Sequence, residues 1–137
     1  MPQSVFDSYA GKPLTKKLGI KAGAQVALIN SPEGFEASLG ELPDDVRLFR
    51  QIGEYCDLIL WFAQSKKQLA SQIAQVAAAL GNGRLWILWR KKFGGVATDL
   101  SQQQVRDIGL AAGLVDFKIC SIDETWSGLL FCRRKSK

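Results

Sequence analysis

The 137 residues of this chain predict a three-layer α/β fold: an open, mostly parallel sheet with helices on its faces, strand order 2-1-3-4-6-5, and strand 6 antiparallel. Three observations carry the prediction. Through the middle of the chain, short stretches rich in Ile, Leu, Val, Trp and Phe alternate with stretches of helical periodicity, the pattern of parallel strands joined by right-handed crossovers. The closing stretch, Trp126-Ser127-Gly128-Leu129-Leu130-Phe131-Cys132, is apolar on both faces, whereas the preceding Val115-Asp116-Phe117-Lys118-Ile119 alternates. A stretch apolar on both faces belongs inside a sheet and an alternating one at a half-exposed edge, so the C-terminal hairpin tucks its last strand inward.

Each element has its own local reason. Pro13 to Gly19 suggests a small N-terminal helix. Gln25–Asn30, Asp57–Ala63 and Arg84–Arg90 are apolar on both faces and read as interior parallel strands, while Val46–Phe49 alternates and reads as an edge. Ser31-Pro32 places a cap and a first-turn proline ahead of a short helix that closes near Gly40. Ser65 with Gln68 forms a capping-box pattern, and Leu69, Ile73, Val76 and Leu80 follow at helical spacing until Gly81, giving a helix over 66–80. Ser101 with Gln104 repeats the pattern, Val105, Ile108 and Ala112 fall on one side, and Gly113 ends a helix over 102–112. Both strands assigned to the edges, the second and the fifth, then alternate with a charged residue outward. The tightest link is 50–56, which must carry the chain from strand 2 past strand 1 to strand 3; extended, it reaches roughly 23 Å, enough for two strand spacings.

The result is a Rossmann-like architecture, expected to be one domain over 1–137 with an N-terminal helical segment (1–22) and a basic tail (133–137). A content of 47% hydrophobic and 23% charged residues fits one globular core. No apolar run approaches the roughly 20 residues that span a bilayer, and the start lacks the basic-then-apolar order of a secretory signal, so a cytoplasmic protein without a membrane partner is expected. Cys56, Cys120 and Cys132 are odd in number, far apart and set in apolar surroundings, which predicts reduced, buried thiols. The net charge of +5 resides in the ends: residues 1–21 carry +3 and Arg133, Arg134, Lys135 and Lys137 carry +4, leaving −2 for the body. Such ends read as solvated tails, and nucleic-acid binding is disfavoured.

The chain has no histidine. Ser-His-Asp and Cys-His nucleophile pairs, H-E-x-x-H zinc sites and histidine proton shuttles are thereby excluded, and catalysis would rest on carboxylates, lysines or a bound cofactor. In an open sheet of this kind ligands bind outside the carboxyl ends of the strands, where the order reverses, here between strands 1 and 3. That rim nominates Asn30, Ser31 and Glu33 after strand 1, Gln64 and Ser65 after strand 3, and Lys91 and Lys92 after strand 4. Thr98 and Asp99 in the loop 94–99, and Asp123, Glu124 and Thr125 at the hairpin tip, lie on the same side.

Each nominee also has a structural explanation. Ser31, Ser65 and Ser101 are accounted for as helix caps. Asn30-Ser31-Pro32-Glu33-Gly34 stands where dinucleotide-binding proteins carry G-x-G-x-x-G, yet it has one glycine, a proline and a carboxylate that would repel phosphate. Arg50 and Gln51 follow strand 2, where an acid that grips ribose would be expected. Lys91-Lys92 beside Gly94-Gly95 offers charge and backbone N–H groups to an anion, but a solvated loop with two ordinary lysines is the preferred reading. Asp123, Glu124 and Asp99 have the chemistry to hold a divalent cation or to act as acid and base, but adjacent carboxylates at a hairpin tip read as solvated turn residues, and no metal site is expected. Trp61, Trp86, Trp89 and Trp126 read as packing residues.

Four segments, Lys17–Gly23, Gly95–Leu100, Gly113–Lys118 and Ile122–Gly128, resemble the bacterial family catalogued as domain of unknown function 3052, and the likeness spans nearly the whole chain. It implies a fold and no particular activity. A looser resemblance is to the C-terminal part of class I methyltransferases, whose sheet ends in a similar inward-turned antiparallel strand; it implies S-adenosylmethionine as cofactor. The chain departs from those enzymes at the glycine loop after strand 1 and the acid after strand 2.

Two functions are compatible with these readings. The first expectation is a non-catalytic module that binds a small molecule or a protein partner at the strand-end rim, with Thr98-Asp99 and Asp123-Glu124-Thr125 as its polar wall. The alternative is a pared-down methyltransferase-like protein that accepts an adenosyl group between strands 1 and 3 by shape and backbone contacts.

Overall fold

A computed structural model describes residues 14–51, 56–80, 83–91, 100–122 and 125–133. Its elements are α1 (Leu14–Leu18), β1 (Gln25–Ile29), α2 (Phe35–Ser38), β2 (Arg47–Phe49), β3 (Leu58–Phe62), α3 (Lys66–Leu80), β4 (Arg84–Arg90), α4 (Gln102–Ala111), β5 (Leu114–Ser121) and β6 (Trp126–Arg133). The six strands form one sheet in the order β2-β1-β3-β4-β6-β5. β1 pairs parallel with β2 and β3, β3 parallel with β4, and β6 runs antiparallel to both β4 and β5. This is the predicted topology, with the inward-turned final strand in its predicted place.

The sheet separates two apolar layers. On one face, Leu69, Ile73, Val76 and Leu80 of α3 and Val105 of α4 meet Ile59, Trp61, Ile87 and Phe131. On the other, Leu18, Phe35 and Leu39 from α1 and the α2 region meet Leu28, Leu60, Phe62, Trp86 and Leu130. Both faces of β3 and β4 are therefore covered, which is why these strands are apolar throughout and show no alternation. The three cysteines are free thiols, two buried and Cys132 half-buried.

Three local expectations need correction. Ser31 and Pro32 do not open α2; its N-cap is Gly34, in the left-handed region at φ 86°, and no side chain caps the helix. The chain turns after Pro32, whose carbonyl accepts the Phe35 N–H at 3.1 Å, and glycine tolerates the φ that this turn requires. β1 ends at Ile29 because Asn30 also enters the left-handed region, at φ 60°. The charged residues of β5 do not point outward as an alternating edge would have them. A β-bulge between Asp116 and Lys118 leaves Phe117 without a partner on β6, and the large apolar Phe117 and Ile119 are exposed instead. Asp116 instead turns to α4, where it accepts from Arg106 Nε at 2.9 Å. The segment 52–55 of the β2–β3 link lies outside the described residues.

Candidate functional site

The sheet order reverses between β1 and β3, and in open α/β sheets ligands bind outside the carboxyl ends of the strands at such a reversal. Asn30 stands exposed at the end of β1, with the half-buried Ser31 after it. Gln64 and Ser65 stand at the end of β3, the strand paired with β1 through Ile29 and Trp61. Lys91 and Thr125 occupy a second corner, where β4 meets β6: the Lys91 N–H donates to the Thr125 carbonyl at 2.8 Å, and the Lys91 ammonium donates to the Ser121 hydroxyl. The nominated residues that are described thus form two neighbourhoods along one rim. Lys92, Thr98, Asp99, Asp123 and Glu124 lie outside the described residues.

The polar groups of the β3 end are already engaged. Ser65 Oγ accepts the Gln68 N–H at 3.0 Å, and Gln68 Oε1 accepts the Gln64 N–H at 2.8 Å, so Gln68 reaches back past the cap and closes the first turn of α3. The exposed Gln64 side chain belongs to the same arrangement, its Oε1 accepting from Gln68 Nε2 at 3.3 Å.

Two features of the rim were not evident from sequence. Glu36 on α2 forms an ion pair with Arg50, the residue after β2. The expected acid is missing from the strand end, yet a carboxylate is delivered there from the adjacent helix. Beneath the rim runs an aromatic row: Phe35 meets Phe62 edge-on at 4.7 Å, Phe62 meets Trp126 edge-on at 5.0 Å, and the Arg90 guanidinium lies 5.2 Å from the Trp126 ring centre. Arg90 and Trp126 are direct partners in the β4–β6 register, so a signal existed in the strand pairing, though not in either segment alone. Trp126 is a packing residue, as expected, and also carries a cation on its face.

Among the described residues, no group of three His, Cys, Asp or Glu side chains is placed to hold a metal ion, and no helix is long and apolar enough to cross a membrane. Two cavities lie at the opposite rim, beside the amino ends of the parallel strands.

No family model matches the chain, and no curated protein matches it in sequence. Solved structures do match in fold. The pyocyanin biosynthetic protein PhzM superposes with a TM-score of 0.64 at 10% identity, over 88% of this chain and 53% of PhzM. The DhpI–SAH complex gives a TM-score of 0.61 at 13% identity, over 96% of this chain and 87% of DhpI. Magnesium protoporphyrin IX methyltransferase (ChlM) from Synechocystis PCC 6803, solved with bound SAM, gives 0.56 at 10% identity, over 88% of this chain and 74% of ChlM. The fold is the α/β Rossmann-like fold of class I SAM-dependent methyltransferases. The chain spans about half the length of PhzM.

Proposed function

We propose that this chain is a methyltransferase-like protein that binds S-adenosylmethionine, or its product S-adenosylhomocysteine, at the rim between β1 and β3. The observation that supports it most is topological: β6 enters reversed between β4 and β5, as in the methyltransferase fold, and the order reverses at the β1–β3 cleft. Shared topology is an analogy, and the site must supply the chemistry.

Three features of the rim support the reading. Asn30 and Gly34 both take positive φ values in the turn after β1, the kind of backbone conformation that glycines provide in a G-x-G-x-x-G loop. Glu36, paired with Arg50 just after β2, offers a carboxylate that could accept from ribose hydroxyls. Pro32 and Glu33 still stand against a phosphate at this turn, which fits an adenosyl ligand that carries none.

Isothermal titration calorimetry with S-adenosylmethionine and with S-adenosylhomocysteine tests the proposal. Saturable binding that weakens in Glu36→Ala and in Arg50→Ala supports it. No heat with either ligand at millimolar concentration, on protein shown to be folded by circular dichroism, overturns it.

A further inference from the structure

A cavity of about 480 Å³ opens at the rim opposite the β1–β3 cleft, beside the amino ends of β1, β3 and β4. Pockets of this size hold small organic molecules. Its floor is apolar, formed by Leu18, Leu58 and Leu130, and its walls carry three cations, Lys21, Arg84 and Lys118, with Phe117 beside Arg84.

Among the described residues, none of these three cations forms an ion pair. The cavity has one carboxylate, Asp57, whose Oδ2 already accepts the Gln25 N–H at 2.8 Å. The Lys118 ammonium lies 3.5 Å from the Lys17 carbonyl oxygen, at the outer limit of a hydrogen bond, and so keeps most of its donor capacity.

The bulge in β5 explains how an aromatic ring joins this group. Lys118 pairs with Leu130, and Leu130 with Trp86, so strict alternation would send Phe117 to the other face of the sheet. The extra residue at the bulge turns it back, and a bulge commonly re-aims a side chain at a site. The Phe117 ring lies 5.3 Å from the Arg84 guanidinium and is 49% exposed, although large apolar side chains ordinarily seek cover.

We infer that this cavity, formed by Lys21, Arg84, Lys118 and Phe117 over an apolar floor, binds a small organic phosphate, with the phosphate on the cations and the organic body against Phe117 and the floor. Arginine offers paired donors to phosphate oxygens, and lysine offers compact charge. The site is independent of the proposed adenosyl cleft and stands or falls separately.

The test is a low-salt titration of the isotope-labelled full chain followed by two-dimensional NMR, with phenyl phosphate as probe and inorganic phosphate as the arm that lacks an organic body. Phenyl phosphate is expected to shift resonances of residues 19–24, 57–58, 83–84 and 117–118 and to saturate about tenfold more tightly than inorganic phosphate, the value of partly burying one ring. Arg84→Ala and Lys21→Ala, both at exposed positions, should each weaken phenyl phosphate roughly tenfold or more, since each removes a charge-assisted contact. Glu36→Ala, at the other rim, should leave it unchanged. Equal affinity for the two probes, shifts confined to the basic chain ends, or an Arg84→Ala variant that binds as well as the parent would each overturn the inference.

Discussion

The indole Nε1 of Trp86, in the centre of β4, donates to the carbonyl of Leu18 at 2.9 Å across 68 residues of sequence. This bond ties α1 to the sheet and satisfies a carbonyl at the end of a helix too short to satisfy its own. Trp61, on the neighbouring strand and the opposite face, is equally buried, but its Nε1 has no partner among the described residues. The two indoles therefore separate packing from hydrogen bonding. Trp86→Phe should cost about 1–2 kcal/mol more than Trp61→Phe, because the first strands the Leu18 carbonyl while the second removes an unsatisfied donor. Urea denaturation of the two variants measures the difference, and equal losses would mean that the Leu18 bond adds nothing.

Gly109 in α4 offers a second test, at the helix–sheet interface. A Cβ there would come within 2.4 Å of the Phe131 ring, which is fully buried in β6. Alanine is worth up to about 1 kcal/mol over glycine within a helix, but overpacking costs about 1–3 kcal/mol, so Gly109→Ala should destabilise. In a Phe131→Leu background the clash is gone and the same change should become stabilising. Thermal melts of the four proteins in this cycle check the reversal of sign.

The sheet order was legible in the sequence because burial on both faces writes a continuous apolar run. Leu58–Phe62 and Trp126–Phe131 carry that run, and no edge strand tolerates it. The helices α3 and α4 were legible from their capping serines, Ser65 and Ser101, both of which accept a backbone N–H three residues on. What stayed hidden depends on single φ values and on register. Nothing local distinguishes Ser31 as a cap from Ser31 ahead of a left-handed Gly34, and a bulge at Phe117 shows only when β5 is laid against β6. The candidate rim followed from the strand order, but the Glu36–Arg50 pair did not, since it joins a helix to a strand end across 14 residues. The opposite cavity was missed altogether: its cations are scattered over Lys21, Arg84 and Lys118, and no motif unites them.

Asn30 occupies φ 60°, a conformation that asparagine visits at little cost and β-branched residues avoid. Asn30→Gly should leave stability within about 0.5 kcal/mol of the parent, whereas Asn30→Val should cost about 1–2 kcal/mol through backbone strain. The same pair probes the cleft. If the turn after β1 contributes its backbone shape to adenosyl binding, Asn30→Gly retains affinity for S-adenosylhomocysteine and Asn30→Val loses it, as read by calorimetry at a temperature where both variants are folded. Retention of full affinity by the valine variant would remove this turn from the site.

Ser65 separates a capping role from a ligand role at the neighbouring strand end. Its hydroxyl accepts the Gln68 N–H at 3.0 Å, and the loss of such a cap typically costs about 1 kcal/mol. Ser65→Ala should show that loss in denaturant unfolding, while Ser65→Asp, which still offers an oxygen to the helix start and adds charge favourable to its dipole, should recover most of it. Neither change should alter affinity for S-adenosylhomocysteine by more than a small factor, because the hydroxyl is committed to the helix. Gln64→Ala, by contrast, removes an exposed side chain whose Oε1 accepts from Gln68 Nε2 at 3.3 Å and leaves the backbone N–H that bonds to Gln68 intact, so under the proposed function it should weaken binding with little loss of stability. A result in which Ser65→Ala abolishes binding and Gln64→Ala does not would exchange their roles and move the ligand deeper against the head of α3.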